Sequence, residues 1–140
     1  MIVLDTNVLS ALMRRTPDPQ VVTWLDAQPR TSVWITAITV LEVRFGLQIL
    51  PAGKRRTMLT SAFKAVLEDK IEQRIAPFDA AAAEQAGTLM ATRHRKGRPG
   101  ELRDMMVAGI VLVHRATLAT GNSRHFSDLP VRVVNPWQQP

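Results

Sequence analysis

Short runs of aliphatic and β-branched residues recur along this chain, each followed by a longer stretch of helical period, and that alternation restricts the fold more than any other feature. Parallel strands cannot be joined by a tight turn, so a crossover helix has to carry the chain from one to the next. Strands are expected at Met1 to Leu4, Val33 to Ile35, Arg74 to Phe78, Thr117 to Thr120 and Val131 to Val134. The class that follows is α/β, a parallel sheet covered by helices.

The intervening stretches support it. Val8 to Arg14 reads as a short helix that stops before the turn Thr16-Pro17-Asp18-Pro19, and Val21 to Ala27 as a brief amphipathic one. Val40, Leu41, Val43, Phe45, Leu47 and Leu50 form an apolar-rich helix closed by Pro51 and Gly53. Arg56 to Ile71 carries a helical apolar stripe. Asp79 caps an alanine-rich helix that Gly97 to Gly100 breaks, and Glu101 to Arg115 is helical again. There is no internal repeat, low-complexity tract or linker, so residues 1–140 are expected to form a single domain.

Composition removes several classes of function. With no cysteine, a disulfide scaffold, a thiolate zinc site and a cysteine nucleophile are excluded. The start MIVLDTNVLS has no basic leader, and Asp5 interrupts the apolar run before it reaches membrane-spanning length, which points to a soluble cytoplasmic protein without membrane contact. The net charge of +6 favours a polyanionic partner. The excess is clustered: Lys54, Arg55 and Arg56 open one segment, and Arg93, His94, Arg95, Lys96 and Arg98 crowd another.

Three acids lie where packing alone would not place them. Asp5 ends the first strand, and the carboxyl ends of parallel strands line the crevice where ligands bind. Thr6 and Asn7 are available to cap the following helix, so that job does not require Asp5. Glu42 sits inside TVLEVRFGL among apolar neighbours, where an unpaired carboxylate needs an arginine such as Arg44, a solvent-facing position or a metal. Asp104 begins the helix after GRPGELR, where the helix dipole welcomes negative charge. Acids from a strand end, a helix and a helix start can converge only at one end of the sheet. Gathered there they raise one another's pKa unless a cation lies among them, and hard oxygen donors without a histidine pair select Mg²⁺ or Mn²⁺ over zinc. Such a metal activates water and offsets charge on a phosphodiester. An acidic pocket with a basic rim reads as a nuclease.

These segments carry a family resemblance. MIVLDTNVLS, TVLEVRFGL, GRPGELRDMMVAGIV, and ATGNSRHFSDL followed by VVNPW resemble, in order and spacing, the PIN-domain ribonucleases, and within them the VapC toxins of VapBC toxin–antitoxin modules, FitB-like branch. The resemblance implies a three-layer α/β/α domain with a mostly parallel five-stranded sheet. It implies that Asp5, Glu42 and Asp104 hold Mg²⁺ (or Mn²⁺) and position a water that attacks RNA. It further implies a homodimer and a VapB-like antitoxin whose C-terminal segment covers the site. The segment Thr120 to Phe126 departs from the pattern: Asn122 and His125 stand where the family often has acids, leaving Asn122, His125 or Asp128 as the fourth ligand. Asn122 is the preferred candidate, contributing an amide oxygen without charge.

Other sites find less support. Asn7 takes the place of the second aspartate that an aspartyl-nucleophile phosphatase needs, and no GxGxxG or GxxxxGK[ST] is present. A catalytically silent RNA-binding module or a protein-docking subunit is the alternative to an enzyme. Carboxylates in the cleft argue against a pure binder, because they repel phosphate.

Overall fold

The computed structural model describes residues 1–138; residues 139 and 140 of the expected single domain lie outside the described residues. In chain order the elements are β1 (Ile2–Leu4), α1 (Thr6–Met13), α2 (Pro19–Asp26), β2 (Val33–Thr36), α3 (Ala37–Ile49), α4 (Lys54–Ala65), β3 (Ile75–Ala76), α5 (Ala80–Arg95), α6 (Leu102–Val113), β4 (Thr117–Ala119) and β5 (Arg132–Val134). The strands form one five-stranded sheet in the order β3-β2-β1-β4-β5, and every pair is parallel.

Strand alternation sorts the core into two layers. Leu4 and Ile35 face the side covered by α1 to α4, packing with Leu9, Val21, Trp24 and Phe63. Val3 and Leu118 face the other side, under Met105, Ala108 and Ile110 of α6 and Leu89 of α5. Successive strand residues point to opposite faces, so adjacent Val3 and Leu4 serve both layers. The result is the expected α/β/α sandwich. From β1 the chain runs first to β2 on one side, and later returns through β4 on the other. The carboxyl ends of β1 and β4 are therefore the topological switch point of the sheet, the place where parallel sheets open a crevice. Among the described residues no helix is long and apolar enough to cross a membrane.

Several boundaries move for reasons of capping. Helix α1 starts at Thr6 rather than Val8 because the Asp5 carboxylate accepts from the Thr6 amide at 2.9 Å, so Asp5 itself is the N-cap and the expectation that Thr6 and Asn7 would take that role is corrected. Helix α2 begins at Pro19, since the first helical position needs no amide donor, and Asp18 caps it through the Gln20 amide at 3.0 Å. The expected helix Arg56 to Ile71 is α4 continued by π-helical turns over Val66–Ile71, closed by Glu72 at φ 51°. In α3, Val43 and Leu47 are buried as expected, but Leu41, Phe45 and Ile49 are more than half exposed and form a stripe at four-residue spacing.

Helices α5 and α6 cross closely at Gly109, where a Cβ would lie 2.5 Å from the Ala82 carbonyl and 2.9 Å from the Ala86 nitrogen. This approach sets the position of α6, and with it Asp104. Gly109→Ala is expected to destabilise the fold by about 1–3 kcal/mol through overpacking, read as a lower urea midpoint at unchanged m-value. Gly87→Ala, on the exposed side of α5 with nothing within 4 Å of its Cβ, is the contrasting control and is expected to gain up to about 1 kcal/mol.

Candidate active site

Asp5 is buried at the switch point, 6% exposed. Its amide donates to the Ala119 carbonyl at 2.9 Å, and its own carbonyl accepts the Val8 and Leu9 amides that open α1. Its carboxylate accepts from the Thr6 amide at 2.9 Å, from Thr120 Oγ1 at 2.9 Å and from Asn7 Nδ2 at 3.3 Å. Asn7 also donates to Thr120 Oγ1 at 3.1 Å and accepts from the Gly121 amide at 2.8 Å, tying the ends of β1 and β4 together.

Glu42 projects from α3 toward the same crevice and accepts from Thr6 Oγ1 at 2.9 Å. Its cationic neighbour is Arg103 at 3.7 Å rather than Arg44, whose guanidinium lies over the Phe63 ring. Asp104 stands in the first turn of α6, with Oδ2 at 3.2 Å from His125 Nδ1. Burial pushes all three carboxyls above their ordinary range. The Asp5 charge adds to that rise at both Glu42 and Asp104, and Glu101 adds further. The hydrogen bonds to Asp5, Arg103 beside Glu42 and His125 beside Asp104 work in the opposite direction.

The fold thus brings Asp5, Glu42 and Asp104 to one edge of the sheet, close enough for the Asp5 charge to be felt at the other two. Among the described residues no three His, Asp or Glu side chains already converge at metal-ligand spacing. Glu42 is turned to the Thr6 hydroxyl and Asp104 to His125. Asn122 lies exposed after Thr120, held through its backbone amide to Thr120 Oγ1 at 3.0 Å. Asp128 is committed elsewhere, 2.7 Å from Arg93.

A family model described as PIN domain matches residues 2–131. The chain belongs to the PIN-domain family. It is 37% identical over 138 residues to the VapC ribonuclease Y4jK of Sinorhizobium fredii, covering 99% of each chain. It is 34% identical to toxin FitB of Neisseria gonorrhoeae over 98% of this chain and 99% of that one. The solved structure of FitAB bound to an IR36 DNA fragment superposes with a TM-score of 0.88 at 33% identity, covering 100% of this chain and 98% of its counterpart.

Within this PIN domain, three contributors escaped the sequence reading. Thr120, Asn7 and Thr6 orient the acids, but a threonine at a strand end or an asparagine in a helix start carries no chemical signature of its own. The one available signal is position: Thr120 ends the strand that pairs with β1. The basic cluster also divides. The Arg93 Nη2 donates to the His125 carbonyl and to Asp128, and the side chain is only 12% exposed, so this arginine is a clamp on the segment carrying His125. His94, Arg95, Lys96 and Arg98 remain exposed.

The raised carboxyls make a linkage expectation for the metal-free PIN domain. A carboxyl whose folded pKa exceeds its ordinary value, 3.8 for Asp104, costs no stability below that value and costs increasingly as pH rises through the folded pKa. Asp104→Asn is therefore expected to melt above the parent at about pH 7 in EDTA, the gain shrinking toward zero as pH falls to the ordinary aspartate range. A variant that melts below the parent at neutral pH would show that the carboxylate is stabilising.

Proposed function

We propose that this PIN domain is a divalent-metal-dependent endoribonuclease and the toxin of a type II toxin–antitoxin module. The observation that carries this reading is a buried carboxylate at the sheet's switch point whose charge bears on two further carboxylates, in a chain of net charge +6. Two relatives carry the names ribonuclease and toxin, which supports it. A module that only bound RNA would gain nothing from acids in its cleft.

The donor set fits a hard divalent cation. All three acids offer carboxylate oxygen, and their charged forms are disfavoured by burial and by one another, a penalty that a cation removes. Asp5, Glu42 and Asp104 would hold Mg²⁺, or Mn²⁺, with Asn122 as a neutral oxygen at the edge. When bound, the ion supplies an activated water and charge compensation at an RNA phosphodiester. The chain's own residues prepare that chemistry. Thr120, Asn7 and the Thr6 amide fix the Asp5 carboxylate, the Thr6 hydroxyl aims Glu42, and His125 steadies Asp104. Arg103, beside Glu42, offers a guanidinium to a non-bridging phosphate oxygen.

A VapB-like antitoxin is the proposed inhibitory partner, in line with the FitAB complex of the solved relative. The exposed stripe Leu41, Phe45 and Ile49 is the face proposed to be buried in a homodimer, because a self-complementary apolar strip on one helix suits two-fold pairing. The cytoplasm, where RNA is met, is the proposed site of action.

Two experiments bear on this. With purified protein and total RNA, cleavage is expected with Mg²⁺ and not with EDTA; Asp5→Asn is expected to abolish it without lowering the melting temperature, and Thr120→Val, which removes the hydroxyl that donates to Asp5 and accepts from Asn7 and the Asn122 amide, to reduce it by about 10–100-fold. Cleavage that survives chelation and Asp5→Asn would return the protein to the silent-module alternative. In light scattering, Phe45→Glu with Ile49→Glu is expected to convert a dimer into a folded monomer.

A further inference from the structure

The segment VVNPW supplies no carboxylate to the site, yet its tryptophan lies against the turn that follows β4. The Thr120 amide donates to the Val134 carbonyl at 2.9 Å, so the chain leaves β5 beside Thr120 before it enters the 3₁₀ turn Pro136–Gln138. The Trp137 ring comes to rest on Gly121. A Cβ added at Gly121 would lie 2.8 Å from Trp137 Cζ3 and 3.1 Å from Cε3. Positive φ among the described glycines is confined to Gly53 and Gly97, so glycine at 121 serves this close approach and not a left-handed backbone. The ring is also held from several directions. Its Nε1 donates to Asp18 Oδ2 at 2.9 Å, the Trp137 amide donates to Asn135 Oδ1 at 3.0 Å, and the Trp137 carbonyl accepts from Gln20 Nε2. Asp18 is itself fixed as the cap of α2, and the bond from Trp137 is the main cause holding its carboxyl below the ordinary aspartate range.

We propose that Trp137 is a positioning residue of the active site: latched to α2, its indole holds the turn Thr120-Gly121-Asn122 against Asn7, and so sets the Asp5 carboxylate and the place of Asn122. The inference rests on the nuclease reading above. Gly121 is gripped between the ring and Asn7, whose Oδ1 accepts the Gly121 amide at 2.8 Å. Asn7 and Thr120 both donate to Asp5, and Thr120 Oγ1 accepts the Asn122 amide at 3.0 Å. A shift of Gly121 is therefore passed through directional bonds to Asp5 on one side and to Asn122 on the other, and such bonds weaken steeply when bent or stretched. The indole is suited to fixing that turn, because it is large and rigid with only two side-chain torsions. Among the described residues Trp137 hydrogen-bonds to none of the three acids, so it acts on them only through the turn.

The test uses full-length protein and three readouts: calorimetric titration of Mn²⁺, kcat and KM for RNA cleavage, and exchange of the Gly121 amide in the metal-free protein by NMR. Trp137→Ala is expected to weaken Mn²⁺ binding and lower kcat, each by about tenfold or more, with little change in KM, and to let the Gly121 amide exchange several times faster. Gly121→Ala keeps the indole and its latch but forces the two apart, and carries the same expectation for Mn²⁺ and kcat; it decides the matter where Trp137→Ala does not fold. In the double variant the added methyl enters space the ring has vacated, so the losses are expected to be clearly less than additive. Ile71→Val, a core change just before β3 at the amino ends of the strands, is the control for lowered stability alone and is expected to leave Mn²⁺ affinity and kcat as in the wild type. Wild-type Mn²⁺ affinity and kcat in both single variants, additive losses in the double variant, or an equal fall in the control would overturn the positioning role and leave the nuclease reading standing. A wild type that neither binds Mn²⁺ nor cuts RNA would overturn the nuclease reading itself.

Discussion

A carboxylate buried at the carboxyl end of the central strand is unfavourable unless its surroundings are built to hold it, and the rest of this structure is arranged around that requirement. Asp5 pairs β1 to β4 through its amide, opens α1 through its carbonyl, and caps the helix with its side chain. Thr120 and Asn7 complete its hydrogen bonds from the neighbouring strand end and helix. One residue therefore joins sheet register, helix start and site. The bonds do not fully compensate burial, since the carboxyl still lies above its ordinary range. What remains is a site in which negative charge is held at a cost, the physical condition under which a cation or a proton is drawn in.

Packing delivers the other two acids to it. Glu42 reaches the crevice because Val43 and Leu47 anchor α3 against the sheet and leave the preceding position at the rim. Asp104 is set by α6, whose place depends on the close crossing with α5 at Gly109. Arg93, on α5, fastens the segment after β4, so the helix pair that positions Asp104 also positions the imidazole that meets it.

The fold was legible because strands in a covered parallel sheet must be short and apolar, and Ile2–Leu4 and Val33–Thr36 are such runs. The acids were legible for the opposite reason, as charges where packing offers them no place. Capping was harder to read: Asp5, Thr6 and Asn7 can each accept an amide, and the choice depends on where β4 ends in space. Exposure of Leu41, Phe45 and Ile49 was invisible because an apolar stripe that faces solvent has the same sequence as one facing a core. Arg93 was read as a surface charge for a related reason, since its acid partner Asp128 lies 35 positions away.

The central claim is that Asp5, Glu42 and Asp104 form one cation site. Calorimetric titration of Mn²⁺ into the wild-type protein, and into a variant carrying Asp5→Asn, Glu42→Gln and Asp104→Asn together, tests it directly. The expected result is saturable binding near one ion per chain in the wild type, none in the triple variant, and a melting temperature in the variant no lower than that of the metal-free wild type. Equal Mn²⁺ binding by both proteins, or none by a wild type that cuts RNA, would contradict it.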